Sequence, residues 1–232
     1  MTTIYLIRHG QASAGSDNYD VLSPIGRQQA KILGEYFRAI DIHFDAAYSG
    51  TLTRQKDTAT IALGIEDSAL QKTEHFNEYH HHEIFSHYLP ILATSNEELA
   101  SAAEAGPNNF MTLTVFTALM DAWANDASNP GAPESIESYL QFQHRIKTGL
   151  DQIAASHGPK DTVAVFTSGG VICTIMQSIF KTSPLHSFEM NWGINNAGIS
   201  RIKQSPQKLH LCEYNNVSHL ALLQDDTLIT QI

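Results

Sequence analysis

The chain has 232 residues, 42% of them apolar, which suits one α/β domain or two small ones with a core of ordinary size. Its formal net charge of −10 argues against general affinity for nucleic acid or anionic membranes, and no apolar run approaches the ~20 residues of a membrane span. Only 14 residues are Lys or Arg, so an anionic substrate would need a local cationic pocket, and each arginine beside a motif carries weight.

In chain order, residues 3–8 read as a buried strand. Ser23-Pro24 marks a helix start, with Ser as N-cap and Pro in the first turn, and the helix runs to about residue 38. Residues 45–49 form a short strand and 51–63 a second helix closed by Gly64. A weak strand follows near 71–74. The segment at about 83–130 is alanine-rich and helical, with Phe110, Leu113, Phe116, Met120 and Trp123 at helical spacing. It reads as an insertion over the sheet within a single domain spanning 1–232, ended by Pro130-Gly131-Ala132-Pro133. A long helix spans 134–157, a buried strand 163–167, and a helix reached through Gly169-Gly170 ends at Phe180. Strands at 199–203 and 209–214 close the chain. Strands alternating with helices imply a three-layer α/β/α sandwich with a mostly parallel sheet.

The N-terminus, Met1-Thr2-Thr3, carries no positive side chain and its apolar stretch ends at Arg8, unlike a signal peptide. The two lone cysteines, Cys173 and Cys212, read as buried free thiols of a reducing compartment. The expected location is the cytoplasm.

Arg8-His9-Gly10 follows the first strand, where open α/β sheets place ligand sites. A neutral imidazole can attack a phosphoryl group, and a guanidinium can hold its oxygens bidentately. Arg54 falls in the first turn of the helix after the second strand, an end that favours anions. Glu78 lies in a loop just past a strand and could move a proton at a leaving oxygen. Alone, each of these is also an ordinary surface charge.

Together they carry a resemblance. Arg8-His9-Gly10, Leu22-Ser23-Pro24-Ile25-Gly26 with Gln29-Ala30, the segment 49–59 around Arg54, Asn77-Glu78, 195–202 and 215–220 resemble the histidine phosphatase superfamily, in its phosphoglycerate-mutase-like branch. The matches run in family order along nearly the whole chain. The resemblance implies that His9 becomes phosphohistidine, that Arg8 and Arg54 clamp the phosphoryl oxygens, and that Glu78 protonates the leaving alcohol and then activates water. It implies no metal and no cofactor. The family carries a second histidine where this chain has Ser168, ahead of Gly169-Gly170. Ser168 and Gly169 are then candidate phosphate contacts, with a neutral donor in place of a charged one. Gly15-Ser16 stands where mutase-like members often carry an asparagine.

The expected activity is hydrolysis of a small phosphate monoester. The alternatives are mutase-type phosphoryl transfer, which the low Lys and Arg content disfavours, and a non-catalytic phosphate-binding protein that has lost the second histidine. His80-His81-His82 with Glu83 and His87 invites a metal reading. Adjacent residues point apart in regular structure, however, so the run reads as a pocket edge beside Glu78. His219 reads as structural, Phe110, Phe116 and Trp123 as core, and Arg27 and Arg145 as helix-face charges. Substrate identity and oligomeric state are not readable.

Overall fold

The computed structural model describes residues 1–13, 19–94, 97–105, 112–125, 133, 136–205 and 208–231. Gly15-Ser16, Phe110 and Pro130-Gly131-Ala132 lie outside the described residues.

Among the described residues, six strands form one sheet: β1 (Thr2–Arg8), β2 (Ala46–Ser49), β3 (Gln71–Lys72), β4 (Thr162–Thr167), β5 (Ile199–Gln204) and β6 (Leu209–Asn216), ordered β3-β2-β4-β1-β5-β6. The first four run parallel; β5 pairs antiparallel to β1, and β6 to β5. The central β1 and β4 are apolar on both faces because both faces are covered. On one face, Tyr5, Ile7, Ala164 and Phe166 pack with Leu33 and Phe37 of α1 (Pro24–Ala39) and Ala59 and Ala62 of α2 (Thr53–Leu63). On the other, Ile4, Leu6, Val163 and Val165 share a core with the remaining long helices.

The region after β3 resolves into α3 (His81–Leu92), α4 (Glu97–Ala105) and α5 (Leu113–Asn125). Phe116, Met120 and Trp123 are buried, whereas Leu113, at the start of α5, is exposed. Trp123 stacks among Tyr79, Tyr139, Phe142 and Phe188, so these helices belong to the same core as the sheet face. The long helix α6 (Tyr139–Ser156) starts five residues later than its periodicity suggests. The reason is local: Ser138 accepts from the Gln141 N–H while the Gln141 side chain caps the Ser138 N–H, a reciprocal start. After β4 come α7 (Gly169–Phe180) and α8 (Pro184–Trp192), then α9 (Ser218–Ala221) near the end. The sequence expectation omitted α8, although Ser183-Pro184 repeats the Ser-Pro start that located α1.

Cys173 is buried, but Cys212 is exposed on the edge strand β6, so the expectation of two buried thiols fails for the second. An edge strand has one open side, and its apolar-looking residues need not face the core. No helix among the described residues is long and apolar enough to cross a membrane.

Candidate active site

Three parallel strands end at one level. Arg8 pairs with Thr167 and Ser49 with Phe166, and the His9 N–H continues the ladder to the Thr167 carbonyl at 2.9 Å. Whatever follows β1, β2 and β4 therefore meets at the carboxyl edge of the sheet. The turn after β1 is held by close backbone approach. A Cβ on Gly10 would stand 2.4 Å from the Gly26 carbonyl oxygen, so only glycine lets α1 start this near. The Gly10 N–H donates to Thr58 Oγ1 at 3.0 Å, tying the turn to α2.

His9 is buried, with 4% of its surface exposed. Nδ1 lies 2.7 Å from the Gly10 carbonyl, which can only accept, so Nδ1 carries the proton. Arg54 Nε, which can only donate, lies 3.2 Å from Nε2, so Nε2 presents its lone pair. Burial first, then Arg54 and Arg8, holds the His9 pKa well below the ordinary histidine value. The ring is a neutral imidazole in a fixed tautomer.

Arg54 opens α2 and is 7% exposed. Its Nη1 donates to Asp20 Oδ1 at 2.8 Å, and the other Asp20 oxygen accepts from the Thr53 N–H at 2.8 Å. Asp20 thus sits on the first turn of α2 and fixes the guanidinium plane. The sequence reading assigned that helix end to a ligand anion and passed over Asp20. Tyr19 covers the guanidinium at 5.3 Å, and the His81 ring meets Tyr19 edge-on at 6.0 Å. His81 is pulled to about 4, by burial first and then by His82, Arg54 and His80. The His80–His82 run therefore reaches the Arg54 side of the site. Among the described residues, no three His, Cys, Asp or Glu side chains group as metal ligands. Arg8 is bonded through Nη1 to the Ile194 carbonyl, and its Nε is buried without a partner among the described residues.

Glu78 follows the short turn Glu74–Phe76. Its Oε2 accepts from the Gly170 N–H at 3.0 Å, at the start of α7. A Cβ at Gly170 would be 2.3 Å from Glu78 Oε1 and 2.6 Å from the Tyr79 ring, so the glycine leaves room for the Glu78 carboxyl as placed. Burial raises the Glu78 pKa and outweighs the Gly170 N–H, Arg54 and Arg8, all of which lower it. The loop that presents Glu78 is tied down on every side. The Phe76 carbonyl accepts from Thr167 Oγ1 at 2.7 Å and Gln55 Nε2 at 3.0 Å, and Asn77 Oδ1 accepts from the Thr51 N–H at 2.7 Å.

Arg145 completes this grip, and here the sequence reading needs correction. It is not a helix-face charge. Its Nη1 donates to the carbonyls of Glu74, His75 and Asn77 at 3.1, 3.2 and 2.7 Å, and Nη2 reaches the Glu78 carbonyl at 3.4 Å. Glu137 accepts from its Nε and Nη2, and its guanidinium lies 4.6 Å over the Phe142 ring. Arg27, by contrast, is an exposed helix charge paired with Asp57.

Ser168 is fully buried at the N-cap of α7, and its Oγ accepts from Gln55 Nε2 at 2.8 Å. Only its own hydroxyl proton remains to be donated elsewhere. Gly169 follows directly, with Asn191 Oδ1 standing 2.1 Å from where its Cβ would be. His219 is buried on α9 against the Tyr36 ring, 5.5 Å between centroids.

The sequence profile of the histidine phosphatase superfamily (branch 1) matches residues 4–109 and 105–217. Among solved structures, a mutant phosphoserine phosphatase from Entamoeba histolytica in complex with phosphoserine aligns with a TM-score of 0.65 at 18% identity, over 95% of this chain and all of that one. Phosphoglycerate mutase from Bacillus anthracis aligns with a TM-score of 0.65 at 21% identity, over 97% of each. At these identities the likeness is one of fold. Mitochondrial serine/threonine-protein phosphatase Pgam5 of Caenorhabditis elegans is 40% identical over 60 residues, which span 26% of this chain and 21% of that protein. With the profile covering nearly its whole length, the chain belongs to the histidine phosphatase superfamily, branch 1.

Proposed function

We propose that the protein hydrolyses a phosphate monoester through a phosphohistidine intermediate on His9. One observation carries the reading. The acceptor beside Nδ1 and the donor beside Nε2 put the proton on Nδ1 and direct the Nε2 lone pair at the Arg54 guanidinium. A buried histidine with a structural task alone does not need a cation at its lone pair.

The steps follow from the neighbours. As the phosphoryl oxygens take over the Arg54 donor, the Nε2 lone pair is freed and attacks phosphorus while the bond from phosphorus to the alcohol oxygen breaks. Glu78, whose pKa burial raises towards the protonated form, gives its proton to that oxygen. The resulting carboxylate then takes a proton from a water that attacks the phosphohistidine, releasing inorganic phosphate and freeing His9. Arg8 and Arg54 neutralise the equatorial oxygens, with Gly169 and the Ser168 hydroxyl proton completing the cradle. Catalysis rests on positioning and charge. With Ser168 in place of a charged donor, the rate is lower by ~10²–10³ than a full set would allow. The substrate is a small phosphorylated molecule, and the setting is the cytoplasm.

A non-catalytic phosphate-binding role is the second reading. It is favoured by one observation, that Ser168 Oγ is engaged by Gln55. Labelled substrate quenched in alkaline detergent separates the two. Wild type should retain a base-stable, acid-labile phosphoryl group, and His9→Ala should retain neither label nor turnover. Turnover surviving in His9→Ala would reject His9 as nucleophile.

A further inference from the structure

We infer that the substrate carries its only anionic group on the phosphoryl end, so that the alcohol is uncharged or cationic. This rests on the phosphatase reading and narrows its substrate class. The inference comes from accounting for every fixed cation in the chain. The residues outside the described set contain no Lys or Arg, so the account is complete.

Arg8 and Arg54 serve the His9 site. Arg27, Lys72, Lys147 and Arg201 face Asp57, Asp67, Asp151 and Glu213, and Arg145 is consumed by Glu137 and the Glu78 loop. Lys56 acts on Asp67. Lys181 and Lys208 line a separate cavity of about 730 Å³ between α6, α7 and the β5–β6 end. Lys160 and Lys203 flank the start of β1 and β4, at the far end of the sheet from His9, and Arg38 ends α1 at that far side. Lys31 is exposed along α1.

The site walls have the opposite character. Between Lys72 and Arg145 the sequence has no lysine or arginine, and this stretch supplies the Glu78 loop, the His80–His82 run and α3 to α5. Asp20 already draws on Arg54, the Glu78 carboxyl sits at the start of α7, and Glu83 follows His81 by two residues in the first turn of α3. Tyr19 and His81 present ring surfaces there. A carboxylate or second phosphate on the alcohol would meet neutral groups and rings, with no lysine or arginine to answer it. Across a partly buried site, one such unanswered charge is worth roughly 10- to 100-fold. Phosphoglycerate-type substrates are disfavoured by the same accounting.

Matched esters test this: the phosphates of propanol, 3-aminopropanol and 3-hydroxypropanoate. The kcat/KM of the carboxylate ester should be at least 10-fold below the other two, and the gap should narrow as salt is raised. Glu83→Lys should raise the ratio of carboxylate-ester to propyl-ester kcat/KM several-fold. Calorimetric titration of the same esters into His9→Ala should give the same order in affinity without turnover. Equal or better use of the carboxylate ester, or equal affinity in His9→Ala, overturns the inference. If none of the esters nor p-nitrophenyl phosphate is turned over, the phosphatase reading falls, and the affinity order in His9→Ala still decides this one.

Discussion

Arg145→Met removes a side chain that touches no substrate yet should change how the enzyme treats its leaving group. Nη1 and Nη2 hold four carbonyls of one loop, those of Glu74, His75, Asn77 and Glu78, and the Glu137 carboxylate balances the charge. Hydrogen bonds from a charged donor contribute ~1.5–3 kcal/mol at best, and three carbonyls sharing one nitrogen count for less than three. Glu137 would lose its partner with only 20% of its side chain exposed. Discounting for that exposure, we expect a loss of about 3 kcal/mol, or roughly 6–12 °C in Tm for a chain of this size. The loop should relax by a fraction of an ångström to an ångström, and misplacement on that scale can cost ~10²-fold in rate. The loss should fall on proton transfer. An alkyl phosphate should drop ~10²-fold in kcat, while an aryl phosphate, whose leaving oxygen hardly needs a proton, should drop less than 10-fold. Arg145→Lys should recover part of the Tm but little of the rate, because one ammonium cannot span four carbonyls and a carboxylate. Equal losses on alkyl and aryl esters would refute the positioning role, and an unchanged Tm would refute the energetic argument.

Four further outcomes are expected. Glu78→Gln should slow alkyl esters far more than aryl esters in steady-state assays, since glutamine has no proton to give. The pH profile of kcat/KM should hold up on the acid side of neutral, because His9 is depressed and stays neutral there. It should fall as pH rises through the elevated Glu78 pKa, and Glu78→Gln should abolish that falling limb. Gly170→Ala places a Cβ 2.3 Å from Glu78 Oε1 and 2.6 Å from the Tyr79 ring, so it should cost about 1–3 kcal/mol in chemical denaturation and most of the activity on alkyl esters. His219, buried beside Tyr36, is held down at about 4 mainly by burial. The unfolded chain protonates it first as pH falls below 6.5, so its contribution is complete above 6.5 and is lost towards pH 4. At 1.36 kcal/mol per unit the loss approaches about 3 kcal/mol. Denaturant titrations of His219→Leu across that window should show a shallower acid decline than wild type.

The local chemistry of the chain determined its elements. Apolar runs without polar alternation specified β1 and β4 as doubly covered strands, and Ser23-Pro24 set the start of α1. Arg8-His9-Gly10 at a strand end and Arg54 at a helix start could be singled out, because each motif sits in an element whose signals are near neighbours, and Arg54 does contact His9. What lay beyond reach were contacts between distant segments. Asp20 meets Arg54 across 34 positions, Arg145 grips the loop of His75 across 70, and Gln55 reaches Ser168 across 113. No periodicity links such pairs. An arginine on an amphipathic helix looks the same whether it faces water or four carbonyls, and a serine at a helix start looks the same whether free or held by a glutamine. The sheet order, which sets β1 between β4 and β5, decides which of these side chains meet. Burial then shifts their protonation, since withdrawing water costs the charged form of both, lowering the His9 pKa and raising that of Glu78.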